Sequence, residues 1–179
     1  MRKVITWVDV ESAGTSSAMD QLLEVAAVLT DFDGNPLQEP YSALVTVSNL
    51  TQVIENSDPT VKAMHERSGL WGDLWRCETK PPEVIDQELQ KFLLHYVDDS
   101  LLLFGGNSPH LDRSYNELYL PGFNSMLSHR GIDVTTLSMV LQEHGKAQMF
   151  LKESAHRALP DVWDCITEYR HYLDWVRAH

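Results

Sequence analysis

The chain has only two cysteines in 179 residues, Cys77 and Cys165, far apart and in no metal-type spacing. That excludes a disulfide-stapled scaffold and a thiolate zinc site, and it reads as free thiols in a reducing, cytoplasmic compartment. Long apolar runs are missing too, so no segment is expected to span a membrane. Met1-Arg2-Lys3 opens like a basic leader, but Asp9 and Glu11 interrupt the apolar stretch that follows, against a signal peptide. Basic residues are scarce: 14 Lys and Arg stand against 26 Asp and Glu, a formal net charge of −12. Proteins that grip long nucleic acid by neutralising phosphates carry a basic stripe, and this sequence has none. An acidic protein can still act on phosphodiesters if bound divalent cations supply the positive charge. Internal repeats, low-complexity tracts and linkers are likewise absent, which predicts a single domain over residues 1–179.

Short β-rich runs occupy the first third. Val4 to Val10 and Leu22 to Asp31 read as strands, and Asp33-Gly34-Asn35 is a turn signal. Leu37 to Val47 supplies a third strand, broken near Pro40. Three strands joined this way form an antiparallel meander. Pro82 to Val97 puts Ile85, Leu89, Phe92, Leu93 and Tyr96 on one helical face. Leu101 to Phe104 reads as a buried strand ending at Gly105-Gly106. Asp112 to Leu127 reads as helix with a break near Pro121, Ile132 to Val134 as a fifth short strand, and Thr136 to His144 as a helix. The last helix is expected to begin near Ala158, because proline costs about 3 kcal/mol in a helix interior and Pro160 fits the first turn. That puts His156 on the approach and Asp161 in the first turn. The class is therefore α/β: a mixed central sheet, meander plus short strands, flanked by helices.

Asp9-Val10-Glu11 closes a β-rich run, and residues i and i+2 of a strand share a face. Two carboxylates on one face repel each other unless a hard cation joins them. The competing reading is a strand end with solvated acids. Asp112 follows a turn-like Gly106-Asn107-Ser108-Pro109, where Asp also serves as a helix cap. His156 and Asp161 near a helix start admit the same capping explanation. Taken together, the residues fit a more specific chemistry. In-line displacement at phosphorus uses two metals flanked by carboxylates and a base for the attacking water. Asp9, Glu11, Asp112 and Asp161 supply the carboxylates, and His156 titrates in the right range for a base.

This constellation resembles the DEDDh exonuclease superfamily, which has a D-x-E motif, a further aspartate near the middle of the sequence, and an H-x(4)-D motif. The resemblance to the oligoribonuclease family within it is closer and spans nearly the whole sequence. It is carried by Trp7-Val8-Asp9-Val10-Glu11, Leu23-Glu24-Val25-Ala26-Ala27, Met64-His65 with Ser68-Gly69-Leu70, Gly106-Asn107-Ser108 with Asp112-Arg113, Asp133 to Leu137, and His156-Arg157-Ala158-Leu159 with Asp161. The resemblance implies an RNase H-like exonuclease fold and a homodimeric 3′–5′ exoribonuclease. Its substrates would be very short RNAs, chiefly dinucleotides, cut to nucleoside 5′-monophosphates with two Mg²⁺ or Mn²⁺ ions per site. By the same resemblance Asp9 bridges both metals, and Glu11 and Asp161 complete the site that holds the attacking water. Asp112 serves the second metal and His156 is the general base. His65 would pack against a substrate base. Ser108, Thr135 and an Arg130 delivered by the partner subunit would cap the 5′ phosphate.

Two positions and one segment depart from the family pattern. Thr15 stands where the family has a leucine that wedges between the bases, His129 stands where it has tyrosine, and residues 143–154 form a shorter approach to His156. These departures motivate an alternative, a DEDDh exonuclease acting on longer single-stranded RNA or DNA. An alternative of another class is an inactive dinucleotide-binding protein.

Overall fold

The computed structural model describes residues 2–152 and 155–179. Met1 and the end of the 143–154 segment, Glu153 and Ser154, lie outside the described residues. Three strands come first: β1 (Arg2–Ser12), β2 (Leu22–Thr30) and β3 (Tyr41–Leu44). Three short helices follow, α1 (Leu50–Asn56), α2 (Pro59–Ser68) and α3 (Leu70–Arg76), and then the longer α4 (Pro82–Val97). Strand β4 (Ser100–Gly106) leads to α5 (His110–Tyr119) and α6 (Pro121–Met126). Strand β5 (Gly131–Asp133) runs into α7 (Val134–Val140), one π-helical turn at Leu141–Gly145, and finally α8 (Ala158–Ala178). None of these helices is long and apolar enough to cross a membrane.

The sheet order is β3-β2-β1-β4-β5. The β1–β2 and β2–β3 pairs are antiparallel, and the β1–β4 and β4–β5 pairs are parallel. The expected mixed sheet with an antiparallel meander is therefore present. Alternation along central β1 sorts its side chains between two cores. Val4 and Val8 pack with Ile85, Leu89 and Leu93 of α4 and with Tyr115 and Phe123. Ile5 and Trp7 pack with Val162, Ile166, Tyr169 and Tyr172 of α8. All nine residues of β2 are buried, as befits a strand covered on both faces. The Trp7 indole N–H donates to Thr30 Oγ1 at 2.8 Å, so the largest side chain of the sheet buries no unmet donor.

Gly105 sets how closely β4 approaches β1. A Cβ there would lie 2.6 Å from Ile5 Cγ2 and 2.8 Å from the Trp7 ring. Only glycine lets the backbone pass that indole, and the strand continues through Gly105 and Gly106 instead of ending before them.

Several boundaries differ from the sequence expectation. The third strand shrinks to Tyr41–Leu44, with only single bridges at Thr30–Pro36 and Val45–Lys80 on either side. Pro40 has no N–H for a ladder, so pairing starts after it. β5 ends at Asp133 and α7 begins at Val134, because the Asp133 side chain accepts the Thr135 N–H and caps the helix. The helix expected over 136–144 changes at Leu141 into the π turn. α5 starts at His110, so Asp112 lies inside its first turn and is not its cap. Helices α1 to α3 have no counterpart in the strand-and-helix pattern read along the sequence. They close around their own small core of Leu50, Leu70, Trp71 and Leu74, against Ala13 and Leu23.

Candidate active site

The parallel pairing of β1 with β4 stops at Trp7 opposite Gly105. Beyond that point the two strands part, and β1 carries on alone on that side. The Val10 N–H then has no ladder partner there, and it donates to Asp112 Oδ1 at 3.0 Å. A carboxylate from α5 thus replaces a strand at the mouth of the fork.

Asp9 and Glu11 occupy the same face of β1 as Ile5 and Trp7, the face covered by α8. Asp161, in the first turn of α8, comes to meet them. One oxygen each from Asp9, Glu11 and Asp161 all lie within 4.8 Å of one another. Asp161 also accepts the Ala155 N–H at 3.1 Å on Oδ1. Glu11 is 6 % exposed and Asp112 8 %, which excludes the reading of this strand end as solvated acids.

Such a cluster cannot stay fully ionised by itself. Burial, followed by the charges of Asp112, Glu11 and Asp161, raises Asp9 well above the usual carboxylate range. Burial first, then Asp161, Glu24 and Asp112, pushes Glu11 up to about 8. Burial raises Asp112 to about 6, against the pull of its backbone hydrogen bonds. Asp161 is raised as well, again mainly by burial, with the Ala155 N–H and then His156 pulling the other way. Converging acidic oxygens with raised pKa values suit a hard divalent cation, which prefers carboxylate oxygen and removes the repulsion. The donor set therefore fits a divalent metal centre.

His156 lies in the bend before α8, with a left-handed backbone at φ 52°. Arg157, the next residue, holds a double hydrogen bond to Glu24 of β2, Nε to Oε2 and Nη2 to Oε1, both 3.1 Å. Its Nη1 donates to Asp73 of α3 at 2.8 Å, and the Ala158 N–H donates to Glu24 Oε2 at 3.0 Å. On the other side of His156, Lys152 pairs with Glu168 of α8 and donates to Asn107 Oδ1 at 2.6 Å. Asn107 in turn donates to Glu168 Oε2 at 2.9 Å.

The residues expected to hold substrate divide into three groups. Ser108 and Thr135 come together, hydroxyl to hydroxyl at 3.2 Å, because Asp133 Oδ1 accepts both of their backbone N–H groups. Arg130 stands exposed on the turn before β5. Its amide donates to Ser128 Oγ, and among the described residues its guanidinium makes no hydrogen bond or ion pair. His65 is fully buried. Its Nε2 donates to the Ser12 carbonyl at 2.9 Å, its ring meets Trp71 edge to face, and Nδ1 faces Glu11 Oε2 at 3.8 Å. No ring face is open to a base in this arrangement; the histidine supports the strand end that carries Glu11. Thr15 and His129 are both exposed.

The pattern read along the sequence assigns no role to Glu24, Asp73, Arg157, Asn107, Lys152 or Glu168. Glu24 does leave a signal, as the one charged residue in Leu-Leu-Glu-Val-Ala-Ala-Val-Leu-Thr. A carboxylate inside a buried strand needs a partner, and that partner is Arg157.

Comparison with known proteins gives a concordant picture. A family model described as Exonuclease (RNase_T) matches residues 6–169. The oligoribonuclease of Neisseria meningitidis serogroup C is 31 % identical over 172 residues, covering 95 % of this chain and 90 % of that protein. The oligoribonuclease of Ralstonia nicotianae is 30 % identical over 170 residues, covering 94 % of this chain and 76 % of that one. Among solved structures, exonuclease I of Methylocaldum szegediense superposes with a TM-score of 0.72 at 14 % identity, over 96 % of this chain and 40 % of that one. A zinc-bound exonuclease I–ssDNA complex from E. coli superposes with a TM-score of 0.69 at 16 % identity, over 100 % of this chain and 43 % of that one. The protein thus spans about two-fifths of the exonuclease I chains it matches, and at these identities the likeness shows the fold alone. That fold is the expected RNase H-like one.

Proposed function

Because this chain belongs to the exonuclease family, we propose that it is a 3′–5′ exoribonuclease that cuts very short RNA, chiefly dinucleotides, to nucleoside 5′-monophosphates. The observation that carries the reading is the convergence of Asp9, Glu11 and Asp161 within 4.8 Å at the β1–β4 fork, where Asp112 accepts the Val10 N–H and adds its charge beside Asp9. This set has the donor chemistry for two Mg²⁺ or Mn²⁺ ions. Such ions, when bound, neutralise the carboxylates and offset the charge that develops on the phosphate oxygens.

The remaining work is shared among side chains. Asp9, whose carboxylate is acted on by those of Asp112, Glu11 and Asp161, would help hold both cations; Glu11 and Asp161 would complete the holding of one and Asp112 of the other. His156 takes a proton from water as the water oxygen attacks phosphorus. The bond from phosphorus to the 3′ oxygen of the preceding nucleotide breaks, and that oxygen gains a proton. The 3′-terminal nucleotide leaves with its 5′ phosphate. Length preference rests on the paired hydroxyls of Ser108 and Thr135, which offer donors to a 5′-terminal phosphate. Arg130 completes that cap from the partner subunit of a twofold dimer, since an exposed guanidinium suits bidentate phosphate contact. Oligoribonucleases at about 30 % identity over most of the chain support the assignment.

A rate comparison of two-, four- and seven-nucleotide 5′-phosphorylated substrates, RNA and DNA, with Mg²⁺ or Mn²⁺ tests this reading. Dimers of RNA should be cut fastest, and Asp9→Ala should lower kcat by roughly 10³-fold or more, the scale of losing a principal charge-stabilising group. Mixing Arg130→Ala with Asp112→Ala subunits should restore activity in heterodimers. No turnover of any substrate by folded protein would sink the proposal. A second reading, longer single strands as substrate, is favoured by Thr15, whose short polar side chain stands exposed where the family places a wedge. Equal rates at all lengths would support it.

A further inference from the structure

His156 sits on a stretch with little regular structure to hold it. Among the described residues from Lys146 to Arg157 there is no helix or strand. A general base must nevertheless be held within hydrogen-bond reach of the proton it takes. Its backbone is also in the left-handed region, at φ 52°, where an L-residue loses about 1–2 kcal/mol. Some contact outside the bend has to enforce that conformation.

The contact lies one residue on. The Arg157 guanidinium meets Glu24 through two parallel bonds of 3.1 Å, and the Ala158 N–H adds a third to the same carboxylate at 3.0 Å. Glu24 is 4 % exposed and sits directly opposite Glu11 in the β1–β2 register. The hairpin that carries Asp9 and Glu11 therefore also grips the residue next to the base. The remaining nitrogen, Nη1, reaches Asp73 of α3 at 2.8 Å. That bond ties the bend to the three-helix lobe α1–α3, whose core rests on Ala13 just beyond Glu11.

We infer that Arg157 is a positioning residue: forked onto Glu24 and tied to Asp73, it fixes the bend that presents His156 to the acidic cluster and couples that bend to the α1–α3 lobe. The inference rests on the reading of His156 as the base. Stability alone does not account for the arrangement, because a buried ion pair is often matched or bettered by apolar residues of similar volume. What a planar fork supplies is direction. Direction matters here, since a displacement of about 1 Å at a reacting group can cost on the order of 10² in rate.

Arg157→Lys keeps the charge and loses the fork. The expected result is a kcat lower by about 10- to 100-fold, with KM and the Mn²⁺ activation midpoint within about threefold of wild type. Asp73→Asn, at the half-exposed end of the network, should lower kcat by roughly 3- to 10-fold. Amide hydrogen exchange gives a readout independent of turnover: protection of the Ala158 N–H should fall about tenfold in Arg157→Lys, while the β2 amides keep theirs. Wild-type kcat together with wild-type Ala158 protection in Arg157→Lys would overturn the inference. So would a loss of kcat accompanied by an equal loss of protection throughout the sheet, which marks a purely structural pair. If the wild-type protein and His156→Ala were both inactive on the diribonucleotide, the functional reading would fail. Ala158 exchange would still decide whether Arg157 holds the bend.

Discussion

Asp112 accepts the Val10 amide N–H on one carboxylate oxygen, beside the acidic cluster. Asp161 does the same with the Ala155 amide. These backbone contacts explain why each resembles an ordinary helix-terminal acid in the sequence, where residue type cannot separate a cap from a candidate metal ligand. His65 is harder to read. The family resemblance implies a ring offered to a base, but the fold turns it inward against Trp71 and the Ser12 carbonyl. Burial of that kind depends on how α2 packs on β1, which no local pattern encodes. His65→Ala should therefore destabilise the protein by about 2–4 kcal/mol, through the lost ring volume and the orphaned Ser12 carbonyl. Urea unfolding should show a lower midpoint at unchanged slope. A raised KM with an unchanged midpoint would restore the base-packing role.

At the scale of elements, strong periodicity is legible and weak punctuation is not. α4 runs over Pro82–Val97 as its apolar spacing predicts, and α8 starts at Ala158, where Pro160 allows it. Helices α1 to α3 are short and carry little apolar periodicity, so no pattern singles them out. Their punctuation is nevertheless in the sequence: Asn49 and Asp58 accept N–H groups as caps, Pro59 opens α2, and Gly69 turns left-handed at φ 77° between α2 and α3. The β1–β4 contact yields a sharper test. Ile5 and Trp7 are both fully buried and cannot give way to a Cβ at residue 105. Gly105→Ala should cost about 1–3 kcal/mol, as overpacking does, and thermal unfolding should register it. An unchanged Tm would mean that β4 moves more freely than its packing suggests.

For the whole molecule, acidic charge converges on one place, where burial and mutual repulsion outweigh the pull of Arg157 on Glu11. In the metal-free protein the site acids keep protons that the unfolded polypeptide releases from about pH 4 upward. Glu11 holds its proton to about 8 and Asp112 to about 6. The native state therefore binds more protons than the unfolded state across this window, and stability falls as pH rises through it. The expected outcome is a Tm in chelator that drops between about pH 5 and pH 8, with each kcal/mol worth about 2–4 °C in a protein of this size. Mg²⁺ or Mn²⁺ should raise the Tm more at the upper end, where the carboxylates are free to bind. A Tm in chelator that rises over the same range would contradict the crowded acidic site.

The fork between β1 and β4 also makes the acidic cluster a witness to correct folding. Sliding β4 by one residue would shift it about 3.3 Å and turn its side chains to the opposite faces. Phe104 or Gly106 would then face Trp7 in place of Gly105, and α5, which follows β4 directly, would carry Asp112 away from the Val10 amide. A mispaired molecule would lose the contact between Asp112 and the Val10 amide, and with it the acidic cluster as it stands here. On the proposed function, activity per molecule would report the fraction of molecules in register, and a newly made copy could cut nothing until its central sheet had closed correctly.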